Sequence, residues 1–469
     1  MIQIIPPESL SKVLQRALMR GGLFADIFIE RSSGTTIHCE DNKIEKVIAG
    51  TNQGAGIRII HQFKTIYGYT NDLSEPALIE LAETLSHALR KENPRDLTIG
   101  LTQKKPPRIF PILEPPEGFA TDVKVKVVDR ANHTARQMDP RIKQVRVIYR
   151  DRFREVTISN SEGLLCNDKR TEILFLVHVV TSDGQVIQTG YEPIGGFQGL
   201  EIFSEDTPEK VAERAARRAL VMLEAQPSPA GPMTVVLSSE AGGTMIHEAI
   251  GHGLEADLAQ EGLSVYSHRL GDQIASPLIT VIDDATIPKK RGSFAVDDEG
   301  VEGNRTVLVE KGVLKSYLYD RLTAMKENTA STGNGRRESY RHKPIPRMTN
   351  TFINLGDSDP EAIIRATHKG LLVKKMGGGQ VNTVNGDFVF EVSEGYIIEG
   401  GAVGPAVRGA TLIGNGPRIL QDIDMVGNDL GFGIGTCGKD GQGVPVSDAQ
   451  PTLRIPEIIV GGQGGPRPL

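Results

Sequence analysis

Apolar positions recur every three or four residues in a few segments and every second residue in many more. Leu10, Val13, Leu14, Ala17 and Leu18 fall at helical spacing, and Gly21-Gly22 provide a stop. Alternating runs follow at 25–31, 35–39, 44–49, 54–60 and 65–70, the pattern of strands with one buried face. Ser74 is placed to cap a helix over 75–90, whose Leu78, Leu81, Ala82, Leu85 and Leu89 share a face. A proline-rich connection spans 94–116. The plan then repeats: a helix at 121–138, strands at 144–149, 153–159, 164–169 and 172–181, a glycine-rich loop at 191–199 and a helix at 207–224. Beyond a Pro/Gly linker at 226–232 comes a buried strand at 233–238, and later strands separated by glycine turns, with 431–443 reading as a loop.

This pattern predicts an α+β chain. Two N-terminal modules of helix plus antiparallel sheet, residues 1–95 and 96–228, precede a mainly antiparallel β domain over 229–469. Composition adds exclusions. A net charge of −6 leaves no basic footprint for nucleic acid. Cys39, Cys166 and Cys437 are odd in number and far apart, which favours free thiols in a reducing, cytoplasmic setting over a disulfide scaffold. The first residues lack the charged and apolar regions of a secretory signal, and no apolar run approaches the roughly 20 residues needed to span a bilayer.

Candidate chemistry concentrates at Glu240–Asp257, where His247, Glu248 and His252 lie within six residues. Two imidazoles beside a carboxylate suit a zinc hydrolase, with the rings holding the metal and Glu248 accepting a proton. The usual spacing is H-E-x-x-H, and here it is H-E-x-x-x-H. On a regular α-helix a five-residue separation leaves the rings about 140° apart, too far to share an ion. Either the turn is widened between Ala249 and Gly251, as in a π-bulge, or the histidines are unrelated. A third ligand must come from elsewhere; Glu255, Asp257, His268, His342, His368 and Cys437 are the candidates. Cys437 stands out because a thiolate is a good zinc ligand and an exposed thiol in a polar loop needs a reason.

Ile246–Asp257, Arg291–Gly300, Gly333–Tyr340, Pro346–Asn350, Gly377–Val381, Met425–Leu430 and Cys437-Gly-Lys together resemble the TldD/PmbA family of metalloproteases, and the histidine motif its TldD-type half. The resemblance implies a zinc-dependent peptidase for unfolded peptides, with His247, His252 and Cys437 as ligands and Glu248 as general base. It also implies a TldE/PmbA-like paralogous partner, a homodimer being the other arrangement considered. Arg336, Arg337 and Tyr340 are candidates for meeting oxyanion charge, against the plainer roles of salt bridging to Asp297, Asp298 or Glu299 and of a packed ring. Two other readings stay open: a binding or scaffold subunit without catalysis, and a zinc amidohydrolase acting on a non-peptide amide.

Overall fold

The computed structural model describes residues 5–89, 98–106 and 111–462. The expected boundary at 95/96, Arg90 of the second helix and parts of the 94–116 connection lie outside them.

In the N-terminal half, runs that read as separate strands fuse into long ones. Phe24–Glu40 pairs antiparallel with Lys43–His61 on one side and with Ile142–Asn160 on the other. Leu164–Ser182 and then Ile187–Gly196 extend the same sheet. The sequence suggested breaks near Gly34 and near 150. At Gly34 the glycine serves a close approach, because a Cβ there would lie 2.3 Å from Asp151 O. The true turn is Asp41-Asn42, whose positive φ of 49° and 62° suits a two-residue hairpin. The strands of the two expected modules therefore share one seven-stranded sheet. The 191–199 segment, expected as a loop, mostly forms its outer strand.

Helices Pro7–Ala17 and Glu75–His87 bury Leu10, Leu14, Leu78 and Ala82 against one part of that sheet. Thr121–Gln137 and Pro208–Glu224 bury Val128, Ala131, Val211 and Ala215 against another.

The C-terminal half packs two sheets around the largest core. One is six-stranded and ends in the hairpin Gly431–Lys439/Gln442–Gln450. In the other, Gly231–Leu237 lies between Lys369–Val381 and Leu453–Gly461. Lys369–Val381 also pairs with Asp387–Glu399, closing a ring through Thr411–Asn415. Val235, Leu237, Leu371, Phe390 and Leu412 fill its interior. The 226–232 linker is tied down, since Gln226 and Pro227 pair with Val407 and Arg408.

The halves meet through buried charge. Arg58, fully buried in the N-terminal sheet, pairs with Asp26 and reaches Glu299 of the C-terminal half at 2.7 Å. The backbone N–H of Tyr340 donates to Glu30 at 2.9 Å, and its ring sits where any side chain at Gly54 would be. Removing one member of a buried ion cluster strands the others. Arg58→Ala is thus expected to lower the unfolding free energy by about 3–5 kcal/mol, read as a shifted denaturation midpoint at unchanged slope. A shift no larger than that of a surface substitution such as Arg418→Ala would contradict this role.

Candidate metal centre

The strand Gly231–Leu237 leaves the closed sheet and runs into the H-E-x-x-x-H segment. There the helix is irregular. Thr244–Ile246 is α-helical, His247–Gly251 is a π-turn, and His252–Leu254 is a 3₁₀ turn. The N–H of His252 reaches back five residues to the carbonyl of His247. That single widened turn brings residues five apart into line. The rings of His247 and His252 stand 5.1 Å apart, edge to face. The carbonyl of Ala249, inside the widened turn, accepts the Tyr266 hydroxyl at 3.0 Å. Gly251 is needed for space, since its φ of −55° is ordinary but a Cβ would lie 2.1 Å from Met348 Sδ.

Cys437 comes from the edge strand Gly431–Lys439, where a loop was expected, and its side chain is buried. Its Sγ lies 3.2 Å from His247 Nε2 and 3.4 Å from His252 Nε2. Burial disfavours its ionisation, but hydrogen bonds and charge from the two imidazoles outweigh this and hold the thiol at about 5. The three ligand-type atoms all fall within 4.8 Å of one another. Among the described residues no other group of three His, Cys, Asp or Glu side chains is so arranged.

Around this trio lies a second layer that sequence reasoning missed. His252 Nδ1 is 3.0 Å from Glu255 Oε2, so Glu255, considered above as a ligand, orients a ligand-type ring. Glu255 is fully buried; despite that burial, Lys439, His252 and Arg347 hold its carboxyl down at about 2. Lys439 Nζ lies 3.1 Å from Glu255 and 2.6 Å from Asp257. Arg347 donates to Cys437 O at 2.5 Å and faces Glu255 Oε1 at 3.7 Å. Asp448 accepts the Gly243 N–H at 2.9 Å, with its other oxygen 3.9 Å from His247 Nδ1. Glu255, three residues after His252, was the one member legible from spacing; Lys439 needed the knowledge that Cys437 sits on a strand.

Glu248 is half-buried, and burial raises its carboxyl above the ordinary range. Thr244, one turn before it, borders a cleft of about 850 Å³ together with Asp448, Tyr191, Lys375, Gly377 and Gly378.

The remaining candidates lie elsewhere. His268 and His368 are exposed, and His342 contacts Ser339 Oγ at 3.1 Å. Arg336 donates to Met348 O at 2.5 Å and Pro445 O at 2.7 Å. Arg337 bonds Asp298 through both backbone and guanidinium, and Tyr340 is buried at the junction of the halves. The contacts of these three bind the structure together, and none is to His247, His252 or Cys437.

Family models for PmbA/TldA metallopeptidases match the chain three times: domain 1 at residues 25–89, the central domain at 114–223 and the C-terminal domain at 230–462. The chain belongs to the PmbA/TldD metallopeptidase family. It is 36% identical over 447 residues to a metalloprotease TldD homolog of Haemophilus influenzae, covering 94% of this chain and 93% of that one. To a metalloprotease of Methanothermobacter thermautotrophicus it is 35% identical over 441 residues, covering 94% and 95%. Among solved structures, TldE of Thermococcus kodakarensis superposes with a TM-score of 0.76 at 20% identity, covering 97% and 99%. A putative modulator of DNA gyrase from Thermotoga maritima gives 0.77 at 22%, covering 93% and 96%; both establish the fold alone. Metalloprotease relatives imply a metal, and the His/His/Cys trio fits one. No helix among the described residues is long and apolar enough to cross a membrane.

A side chain at residue 251 would force Met348 away and open the widened turn. Gly251→Ala is expected to cost about 1–3 kcal/mol of stability, measured by denaturant unfolding. An unchanged midpoint would mean the turn tolerates the methyl group and that Gly251 is not what fixes it.

Proposed function

We propose that the chain is a zinc-dependent peptidase acting on unfolded peptides or small proteins. The observation that carries this reading is the convergence of His247 Nε2, His252 Nε2 and Cys437 Sγ within 4.8 Å beside Glu248. The donor set suits zinc. Tetrahedral bonds of roughly 2.1 Å to nitrogen and 2.3 Å to sulfur put N and S about 3.6 Å apart. The contacts of 3.2 and 3.4 Å are close to that separation. Bound zinc would supply a Lewis acid that acidifies water and polarises a carbonyl oxygen.

The chain's own groups do the rest. The two Nε2 atoms and the thiolate hold the ion; Glu255 fixes the tautomer and direction of His252 by taking its Nδ1 proton as a hydrogen bond. Glu248 has no hydrogen bond or ion pair among the described residues, so its carboxylate is open to an incoming water. Its raised pKa makes it a better base than an ordinary glutamate. It takes the proton of the attacking water and returns it to the leaving amine. An extended peptide fits the 850 Å³ cleft. Along one wall the pairing between Lys369–Val381 and Asp387–Glu399 jumps from Met376 to Gly379, leaving the backbone at Gly377 and Gly378 for sequence-tolerant hydrogen bonding. As partner we propose a TldE/PmbA-like paralogue, with a second copy of this chain as the other arrangement.

Glu248→Gln is expected to keep about one zinc per chain, as a single three-ligand site requires, while peptide turnover falls at least about 100-fold. Metal analysis alongside a peptide-digest assay reads both. Full turnover in this variant would remove Glu248 as base, and absence of zinc from the native protein would favour a scaffold role. Glu255→Gln is expected to weaken zinc about 10- to 100-fold in chelator competition, with the fold retained. Unaltered affinity would show that Glu255 does not support the ligand ring.

A further inference from the structure

Alternation along Asp387–Glu399, Thr411–Asn415 and Leu453–Gly461 sends Phe388, Phe390, Leu412 and Val460 into the core of the C-terminal half. The residues between them face outward, and where an antiparallel sheet meets water that side is ordinarily polar. Here it is not. Val389 pairs with Ile413, and Ile413 with Ile459, so their side chains form one apolar row across neighbouring strands. They are 48%, 41% and 46% exposed. The row is roughly 10 Å long at the usual spacing of strands. With Arg418 and Asp422 of the helix Gly416–Asp422 it borders a groove of about 640 Å³. The rim is acidic. Asp387, Asp422 and Glu457 border the groove, and Arg418, the one Lys or Arg among its described lining residues, is engaged by Asp422 at 3.6 Å. Asp387 and Glu457 have no ion pair among the described residues. An exposed apolar row with surplus negative charge fits a ligand that brings apolar side chains and a cation. A second copy of the chain presenting the same face would instead set like charges against each other.

Position ties the groove to the cleft. Asp387, Val389 and Glu391 alternate with buried Phe388 and Phe390, so all three point to one side of the sheet. Glu391 borders the 850 Å³ cleft, and Val389 and Asp387 border the groove. On the paired strand, Gly377 and Gly378 border the cleft and Gln380 the groove. The two depressions thus adjoin on the same pair of strands, roughly 7 Å apart along an extended chain. A peptide in the cleft that runs on past Glu391 meets the apolar row.

We propose that this groove is an extended subsite of the cleft, taking apolar side chains that lie beside a Lys or Arg in the bound peptide. The inference rests on the peptidase reading and narrows its substrate class to apolar segments that carry positive charge. Val389, Ile413 and Ile459 hold the apolar side chains, and Asp387 and Glu457 meet the cation.

The test is equilibrium binding to the full chain, zinc-loaded and carrying Glu248→Gln so that nothing is cleaved. The probes are three fluorescein-labelled, unstructured dodecapeptides with amidated C-termini. One is Gly/Ser alone, one adds two Leu and a Lys, and one adds two Leu and a Glu. The Leu/Lys peptide is expected to bind about tenfold tighter than Gly/Ser, the worth of partly burying two apolar side chains. The Leu/Glu peptide is expected to lose most of that gain at low salt. Ile413→Thr combined with Ile459→Thr is expected to abolish the gain and leave the affinity for Gly/Ser unchanged. Both positions are exposed on strands that threonine suits, so the fold is retained. With Glu248 intact, the same two substitutions are expected to lower kcat/KM for the Leu/Lys peptide about tenfold, by the same loss of apolar contact. Equal binding of all three peptides, no binding of any, or a gain that survives the double substitution would overturn the proposal. If the chain with Glu248 intact cleaves none of the three, the peptidase reading falls separately, because the binding comparison needs no turnover.

Discussion

Glu255 has no access to solvent, so its charge must be balanced from inside the protein. Lys439 and Arg347 balance it, and both also engage the strand that carries Cys437. The other debt of the carboxylate is to His252, whose ring it directs at the thiol. Residues 185 apart in sequence are thus held in register by one buried network. Loss of any member leaves an uncompensated charge, so the site's geometry is as strongly enforced as the core around it. Met348 and Tyr266 add the steric part, locking the widened turn from two sides.

The N-terminal half is part of the same working unit. Its strand Ile187–Gly196 supplies Tyr191 and Glu192 to the wall of the cleft, facing Gly377 and Gly378 of the C-terminal half. The buried pairs of Arg58, Glu30 and Arg170 across the junction keep that wall at a fixed distance from the histidines. Desolvated ions thus join the two halves that build the cleft.

Much of this was legible in the sequence, and the failures have physical causes. The extra residue between His247 and His252 called for a widened turn, and a π-turn stands there. Cys437 was picked out by thiolate chemistry, although the reason given was wrong: glycines 431, 433, 435 and 438 suggested a flexible loop, where they lie within a half-buried edge strand that buries the Cys437 side chain, Gly431 and Gly433 packing closely against Ser239 and Asp448. The same misreading split the first long strand at Gly34, because a glycine demanded by an approaching backbone looks in sequence like one demanded by a turn. Arg336, Arg337 and Tyr340 carried a motif, and the contacts seen for them are structural, Tyr340 at the junction, Arg337 on Asp298 and Arg336 on carbonyls of the C-terminal half. Their partners, Asp298, Glu30 and the Met348 carbonyl, are brought near only by the tertiary fold, which no local pattern reports.

The notch at Gly54, filled by the ring of Tyr340, bears on how the chain comes to be made. Gly54 and Arg58 are made long before Tyr340 and Glu299 exist, a delay of roughly ten to fifty seconds at ordinary rates of synthesis. During that time Arg58 has Asp26 but lacks Glu299, and an open groove lies where an aromatic ring belongs. The first half of this protein is therefore an unfinished surface waiting for its own C-terminus, vulnerable to any other chain that offers a ring and a carboxylate first.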